Sequence, residues 1–296
     1  MVRTFNTEIG DKSVTIEHGR MANQAHGEVI VRSGDSMVLV TACMSSRESN
    51  LPFFPLTVEY REKGYAAGKI PGAIFKREGK PADSEILSAR LIDHQIRPLF
   101  PKSFQNEVQI IVSILAHDQE NDPDVLACIG ASAALSISKI PFAGPFGVVR
   151  VGINPETGEK IINPTYEERE TSDRDIIVAG NKESLLNIEG EAHEISEAEM
   201  LDSMTYGLES IAKLVQLQEE LIEAVGVAKY EYDEHVIDEA LSAKVEEAAA
   251  DRIKETLTIA DKAERSSAQD AITAEIKTSL EEEFPESGGD VSDVID

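Results

Sequence analysis

The chain has 296 residues, of which 41% are hydrophobic, so it can form one or two folded domains and wholesale disorder is excluded. Its formal net charge of −27 excludes a generic nucleic-acid binder, whose surface is basic overall. The charge is uneven, because residues 1–100 hold thirteen basic and twelve acidic residues whereas residues 181–296 hold nine and thirty-one. A local basic patch is therefore expected in the first hundred residues, and solvated acidic helices near the end.

The residues that report on cellular compartment favour the cytoplasm. Cys43 and Cys128 both lie in apolar runs, which predicts buried, reduced thiols. The first residues lack the apolar stretch of a signal peptide, and no apolar run reaches the eighteen residues that a membrane helix needs. We expect a cytoplasmic protein without a membrane partner.

Residues 1–230 alternate between strand and helix patterns, which predicts an α+β domain with a mixed sheet packed against helices. Short β-branched runs separated by turn residues indicate the strands. The predicted strands are Val14–Ile16, Glu28–Val31, Met37–Thr41, Leu56–Tyr60, Val108–Leu115, Phe146–Val151, Asp175–Ala179 and Leu185–Glu189.

The first long helix is predicted between the glycine-rich loop 64–81 and Pro98. Asp83 or Ser84 could cap its start, and Pro98 would end it. Apolar residues at three- and four-residue spacing predict its buried face, namely Ile86, Ala89, Ile92 and Ile96.

A second helix is predicted after Asp122-Pro123, an N-cap followed by a proline at the first helical position. Its small residues, around Gly130, would allow very close packing against a sheet or helix. The alternating acids before it (Asp118, Glu120, Asp122 and Asp124) resemble a calcium loop, but the required glycine and glutamate are replaced by Pro123 and Ile129. A solvated acidic approach to a helix cap is the interpretation that remains.

The C-terminal third is predicted to be helical. Ser196 and Glu199 form a capping-box pattern, and the helix behind them should stop at Gly226 as a C′ glycine. Residues 231–284, rich in Ala, Glu and Lys, predict a small acidic all-α domain. Residues 285–296 show no apolar periodicity and are expected to be a disordered tail or linker.

The basic cluster expected from the charge distribution lies between Gly64 and Pro101. Lys69, Lys76, Arg77 and Lys80 surround the aromatic Phe75 in a loop rich in glycine and proline. Cations beside an aromatic ring suit a single-stranded nucleic acid, because cations meet phosphates and the ring stacks on a base. The alternative is a solvated surface loop with no specific ligand.

Arg90 and Arg97 share one face of the first long helix, with Asp93 between them. One interpretation is a structural ladder of ion pairs at three- and four-residue spacing. The other is a clamp for phosphate or carboxylate, since arginine binds both through two parallel hydrogen bonds.

Complete catalytic or metal-binding motifs are missing from this sequence. The six histidines show no metal-ligand spacing, and neither cysteine has the local signature of a nucleophile. We therefore predict no catalytic residue and no metal ligand in this chain.

Five segments resemble one family closely. They are FFPLTVEYREKGYAAGKIPGAIFKREGKP, SARLIDHQIRPLFP, NEVQIIVSIL, NDPDVLACIGASAALSIS and IPFAGPFGVVRVG. Together they resemble the first RNase PH-like core domain of the bacterial polynucleotide phosphorylase family, and the acidic helices after it resemble the family's all-helical linker domain. The resemblance spans nearly the whole chain and is densest from about Phe53 to Gly152.

The resemblance implies a phosphate-dependent 3′-to-5′ exoribonuclease. The family degrades single-stranded RNA, as in mRNA turnover, to nucleoside 5′-diphosphates in a reversible reaction. Inorganic phosphate is the co-substrate and a divalent cation, usually magnesium, is required. The resemblance also implies a homotrimeric ring around a central channel, together with possible RNA-degradation partners.

Carried over by position, the family's RNA-gripping loop falls on Ile74, Phe75, Lys76 and Arg77. The family usually has two aromatic residues and two arginines at these positions. Ile74 cannot stack on a base as an aromatic ring does, and Lys76 keeps the positive charge of an arginine but cannot make its bidentate hydrogen bonds. The RNA-binding residues expected here are Phe75, Lys76, Arg77, Lys80, Arg90 and Arg97. His94-Gln95 replaces an Arg-Pro pair common in the family, which puts a phosphate role of position 94 in doubt.

The resemblance also implies what this chain does not supply. In the family, phosphate and metal are bound by a second core domain, which is absent from this sequence. The chain is therefore expected to be an N-terminal part that guides RNA and assembles the ring, without the chemistry. The alternative is a freestanding, non-catalytic RNA-binding or scaffold subunit, and the reading frame beyond Asp296 would distinguish the two.

Overall fold

The computed structural model describes residues 2–51, 53–70, 72, 79–232, 236–281, 283–285 and 287–295. The chain divides into two compact units, Met1–Asp233 and Glu234–Asp296. The domain boundary predicted from the sequence lies between residues 230 and 231.

The first unit contains ten strands among its described residues, arranged in two sheets. The strands are β1 Arg3–Ile9, β2 Lys12–His18, β3 Gly27–Ser33, β4 Ser36–Glu48, β5 Leu56–Arg61, β6 Asn106–Ala116, β7 Gly147–Ile153, β8 Lys160–Ile162, β9 Arg174–Gly180 and β10 Leu185–Ala192. All eight predicted strands are confirmed, whereas β1 and the three-residue β8 were not predicted.

The six-stranded sheet has the order β1-β2-β3-β4-β6-β5, and the four-stranded sheet has the order β10-β9-β7-β8. All neighbouring strands are antiparallel except β5 and β6, which run parallel. A parallel pair needs a crossover, and the helix α1 (Asp83–Ile96) supplies it. The mixed α+β class expected from the sequence is confirmed.

The helices of the first unit are α1, α2 (Pro123–Ile137), the short α3 (Tyr166–Thr171) and α4 (Glu197–Val225). Ser196 caps α4 through the predicted capping box with Glu199. Gly226 follows the helix, but its φ of −58° is not left-handed, so the expected C′ glycine geometry is absent there.

α2 is the central helix of the core, and fourteen of its fifteen residues are buried. It packs against β3 and β4, and a Cβ added at Gly130 would lie 2.5 Å from Val40 Cγ2. The close approach predicted from the small residues is therefore confirmed. Both sheets, α1, α2 and α4 contribute to one continuous apolar core.

α1 starts one residue earlier than expected, because Ala82 rather than Asp83 or Ser84 is the N-cap residue. Its buried face also differs in part. Ile92 and Ile96 are fully buried as predicted, but Ile86 is 48% exposed. Glu85 occupies the buried position instead, for a reason given below.

The second unit contains the helices α5 (Glu239–Thr256), α6 (Lys262–Leu280) and α7 (Gly288–Ile295), which pack around a small apolar cluster of their own. The helical character expected for residues 231–284 is confirmed. The expected disordered tail is not seen over 288–295, because Val291 is only 1% exposed and packs with Leu241 and Val245.

Candidate RNA-binding surface

Two side chains at opposite ends of α1 fix this helix against the edge strand β5. Glu85 is buried, and its Oε1 accepts a hydrogen bond from the Glu62 main-chain N at 2.8 Å. Its Oε2 accepts from the Ala82 main-chain N at 2.6 Å, which caps the start of α1. A buried carboxylate is stable here because main-chain N–H groups satisfy both of its oxygens.

Arg97 holds the other end of α1. Its Nε and Nη2 donate to Asp93 Oδ2 and Oδ1 at 2.9 and 2.6 Å, an i,i+4 ion pair. Nη1 donates to the Phe54 carbonyl at 3.1 Å, and Nη2 lies 3.4 Å from the Leu56 carbonyl. The hydrogen bonds to Asp93 raise the pKa of Arg97, so the guanidinium is a permanent cation at this corner.

Arg90 and Lys80 are exposed cations without a hydrogen-bond or ion-pair partner among the described residues. The three-residue ladder that spacing allowed is therefore only half formed, since Asp93 pairs with Arg97 alone. Lys80 follows Gly79, whose carbonyl accepts a hydrogen bond from Arg61 Nη2 at 3.1 Å. That bond places Lys80 beside the C-terminal end of β5.

The remaining sequence-predicted residues, Phe75, Lys76 and Arg77, lie outside the residues that the structure describes, as does Ile74. The flanking residues that are described, from Tyr65 to Ile70, include exposed Lys69 and Tyr65, which is 63% exposed.

An ionic cluster around the buried Arg150, which was not predicted from the sequence, lies where α2, β7, α3 and β9 meet. Arg150 Nη1 donates to both Asp175 oxygens at 2.8 Å, and its Nη2 donates to Asp124 at 2.8 Å and Asp122 at 3.2 Å. Arg169 Nη1 donates to Asp122 at 2.7 Å, and its Nη2 lies 2.6 Å from Asp175.

This cluster corrects the interpretation of the acidic run before α2. Asp122 does cap the helix, accepting from the Asp124 main-chain N at 3.3 Å. Asp122 and Asp124 are not solvated, however. Burial of Asp124, together with repulsion from Asp122, raises the pKa of Asp124 to about 7 despite its contact with Arg150.

Asp118, at the start of the same run, has a local role. Burial alone would raise its pKa, but hydrogen bonds from the main-chain N of Asn121 and of Glu120 outweigh burial and lower the pKa to about 2. Its carboxylate therefore shapes the turn that leads into α2.

The three carboxylates of the ionic cluster do not fit a divalent cation, because two guanidinium groups already bind their oxygens. Across the described parts of the chain, no group of three acidic, histidine or cysteine side chains is placed to hold a metal ion. The signal that could have revealed the cluster is Arg150 itself, a charge inside the apolar strand GVVRVGI, which requires buried partners.

Comparison with known proteins places these observations in a family. Residues 10–141 match the model of domain 1 of the 3′ exoribonuclease family, and residues 144–210 match the model of domain 2. The chain belongs to the 3′ exoribonuclease family. Residues 240–296 match a third model, described as the RNA-binding domain of polyribonucleotide nucleotidyltransferase.

The curated relatives make the placement within the family more specific. The chain is 48% identical over 285 residues to the polyribonucleotide nucleotidyltransferase of Geotalea daltonii, covering 96% of this chain and 41% of that protein. It is 45% identical over 297 residues to that of Citrifermentans bemidjiense, covering 100% and 42%. The chain thus spans about two fifths of the length of these relatives.

A solved structure shares the fold. The crystal structure of rice (Oryza sativa) Rrp46 matches with a TM-score of 0.57 and 13% identity, covering 73% of this chain and 96% of that one. At this identity the likeness concerns the fold alone. Among the helices described, none has the length and apolar character needed to cross a membrane.

Proposed function

We propose that this chain is the RNA-guiding and ring-building part of a phosphate-dependent 3′-to-5′ exoribonuclease. The whole enzyme degrades single-stranded RNA to nucleoside 5′-diphosphates, reversibly, in the course of mRNA turnover in the cytoplasm. The observation that carries the proposal is 48% identity to a polyribonucleotide nucleotidyltransferase over 96% of the chain.

In this proposal the RNA-binding residues are Phe75, Lys76, Arg77, Lys80, Arg90 and Arg97. Lys80 and Arg90 support it, because neither has a partner among the described residues and such a cation can neutralise a phosphate without first breaking an ion pair. Arg97 contributes less charge than Arg90, since Asp93 already neutralises it. Contacts to phosphates and base faces grip a strand without reading its sequence, as processive degradation requires.

The chemistry belongs to a part of the enzyme outside this chain. Inorganic phosphate is the nucleophile, and magnesium is bound by a second core domain. The ionic cluster of this chain supports that division of labour, because its carboxylates already pair with Arg150 and Arg169. Three copies of the full-length protein form the ring in this proposal.

RNA binding by residues 1–296 tests the proposal. Fluorescence anisotropy with a labelled oligo(A) should show binding that weakens as salt rises, because phosphate contacts release counterions. The combined Phe75→Ala, Lys76→Ala and Arg77→Ala variant should bind more weakly at low salt, and the difference should shrink at high salt. Equal low-salt affinities would remove this loop from the RNA path.

A second assay tests where the chemistry lies. Residues 1–296 given oligo(A), phosphate and magnesium should release no nucleoside diphosphate, while a protein extended to the full length of the relatives should release it. Release by the short chain would contradict the proposed division of labour.

A further inference from the structure

Tyr65 is an exposed aromatic residue on a short turn that follows β5. The turn, Gly64–Ala67, has the 3₁₀ conformation. Tyr65 is 63% exposed, and neither its ring nor its hydroxyl has a partner among the described residues. A single exposed ring needs no explanation by itself. The surroundings of this one, however, combine a fixed backbone with nearby cations.

Hydrogen bonds fix the backbone on both sides of Tyr65. The Ala66 main-chain N donates to the Lys63 carbonyl at 2.9 Å, and the Ala66 carbonyl accepts from the His117 main-chain N at 2.9 Å. Gly68, left-handed with a φ of 67°, donates to the Tyr65 carbonyl at 3.0 Å. Ala66 is buried in the main core. The ring is therefore carried by a backbone that needs no ordering when a ligand binds, which lowers the entropic cost of binding.

Lys69 lies next to Tyr65 because the turn closes on itself. Its main-chain N donates to the Gly64 carbonyl at 2.8 Å, which brings Lys69 back beside the residue that precedes Tyr65. Lys69 is exposed and has no hydrogen-bond or ion-pair partner among the described residues. The turn therefore presents one ring and one cation together.

Lys80, one of the proposed RNA-binding residues, lies at the same end of β5. Arg61 Nη2 donates to the Gly79 carbonyl at 3.1 Å, so Lys80 is beside the strand end from which the turn departs. Four residues of chain span at most about 14 Å, which limits the distance between the Cα atoms of Arg61 and Tyr65. The ring of Tyr65 is thus close to the surface already proposed to bind RNA.

The carboxylates nearest the turn in sequence and in space already have partners. Within residues 64–70, Lys69 is the only charged residue. Glu62 Oε1 lies 2.9 Å from His117 Nδ1, and both Glu85 oxygens accept main-chain hydrogen bonds. Neither carboxylate is therefore available to pair with Lys69.

Charge alone would nevertheless hold RNA weakly at this corner, because Glu59 in β5 and Asp83 at the start of α1 are exposed acids. An aromatic ring that stacks on a base adds affinity that these carboxylates do not oppose. Stacking also accepts any base, because every base has a π-face.

We propose that Tyr65 stacks on a base of single-stranded RNA while Lys69 contacts a neighbouring phosphate. The contact is additional to the loop at residues 74–77 and to the cations of α1. It rests on the proposed function, because it adds a contact to the same RNA path.

Fluorescence anisotropy with labelled oligo(A) and the whole 296-residue chain measures the contact. Tyr65→Ala should weaken binding about tenfold over a range of salt concentrations, because stacking involves no charge. Tyr65→Phe keeps the ring and should bind within about twofold of the wild type. Lys69→Gln should instead lower the salt dependence by about one phosphate contact.

A strand without bases separates stacking from a change in the fold. With an abasic oligonucleotide of the same length and charge, the loss caused by Tyr65→Ala should shrink to within about twofold, since no base remains to stack. Phe53→Ala is the matched control, because Phe53 is 60% exposed but precedes the other end of β5. It should leave both affinities unchanged, and the urea midpoint of Tyr65→Ala should equal that of the wild type.

Tyrosine fluorescence reports the stacking contact directly. The chain has six tyrosines and no tryptophan, so its emission comes from tyrosine. A base stacked on Tyr65 should quench part of this emission. Tyr65→Phe should lose that part of the quenching while it keeps its affinity. Tyr230→Phe, which removes another exposed tyrosine, should retain it.

Several results would overturn the inference. If the wild type binds oligo(A) and Tyr65→Ala binds it equally well, the inference fails and the proposed function stands. A loss that persists on the abasic strand, or full quenching in Tyr65→Phe, would overturn it as well. A Tyr65→Ala chain that keeps its RNA affinity but loses self-association would make Tyr65 an interface residue. No binding of oligo(A) by the wild type would overturn the proposed function together with this inference.

Discussion

Arg97 and Asp93 are joined by two parallel hydrogen bonds, Nε to Oδ2 at 2.9 Å and Nη2 to Oδ1 at 2.6 Å. This pairing decides the state of a third residue. Arg90 lies three residues from Asp93 and Arg97 lies four, but Arg90 has no partner among the described residues because Arg97 holds the carboxylate. The two arginines on one face of α1 are therefore expected to have different roles, Arg90 in RNA binding and Arg97 in stability, and substitution of each should affect a different measurement.

Arg90→Gln should weaken oligo(A) binding and lower the salt dependence of the binding constant by about one phosphate contact. The reason is that an unpaired cation contributes its full charge to RNA. The measurement is anisotropy over a range of salt concentrations. Lys213→Gln, an equal charge change on an exposed residue of α4, is the control and should leave the salt slope unchanged.

Arg97→Met should instead lower the free energy of unfolding, by about 1–2 kcal/mol. The substitution leaves Asp93 unpaired and removes the donors of the Phe54 and Leu56 carbonyls. Urea unfolding measures the effect. Arg90→Met is the matched control, with an expected change within about 0.5 kcal/mol. Equal losses in the two variants would contradict the distinction between them.

The ionic cluster should make stability depend on pH through Asp124. Its pKa is about 7 in the folded chain, above the unfolded value of 3.8. Between these values the folded state keeps a proton that the unfolded state releases, so stability falls as pH rises. Relative to Asp124→Asn, wild-type stability should fall by up to about 1.4 kcal/mol per pH unit between pH 4 and pH 7.

The comparison with Asp124→Asn by urea unfolding at several pH values removes contributions from other groups. Below pH 4 and above pH 7 the difference between the two proteins should be flat. A difference that stays constant across the whole range would show that Asp124 does not hold the proton.

Arg150→Met should destabilise the first unit strongly, by about 3–5 kcal/mol, because it removes a buried guanidinium that pairs with Asp122, Asp124 and Asp175. The measurement is the thermal midpoint and the free energy of unfolding. Adding Asp124→Asn should recover part of the loss, since one carboxylate then no longer needs compensation. Strictly additive losses would mean that the two residues do not interact.

Gly130→Ala should cost about 1–3 kcal/mol, because the new methyl group would lie 2.5 Å from Val40 Cγ2 and 3.1 Å from Val31 Cγ2. Urea unfolding again provides the measurement. A double variant with Val40→Ala should cost less than the sum of the single changes, since the smaller side chain relieves the contact. Gly288→Ala, where nothing lies within 4 Å, is the control and should cost little.

Patterns that depend on neighbouring residues were predicted well. The alternating and β-branched runs located eight strands, and the small residues of α2 indicated its close packing. The capping box of Ser196 and Glu199 located the start of α4. Such signals are local, because a strand, a cap or a small side chain imposes its geometry within a few residues of itself.

The candidate site was predicted less completely, for a physical reason. Periodicity placed Ile86 in the core, but the core position belongs to Glu85. The main-chain N–H groups of Glu62, just after β5, and of Ala82, at the start of α1, need an acceptor that an apolar side chain does not offer. In the same way, Val291 belongs to a helix only because Leu241 and Val245 offer it an apolar surface. Hydrophobic pattern alone does not contain these partners.

The sequence by itself determined the alternation of strands and helices, the acidic helical end and the basic region between Gly64 and Pro101, along with the likeness to a family. Only the tertiary structure decided which charged side chains pair within the protein and which remain available to a ligand. Arg97 and Arg150 are paired, Arg90 has no partner among the described residues, and the Asp124 side chain is largely removed from solvent. Each outcome depends on carboxylates and carbonyls brought together from distant parts of the chain. Ionic pairing and burial are set by distances in space, which residue spacing along the chain does not fix.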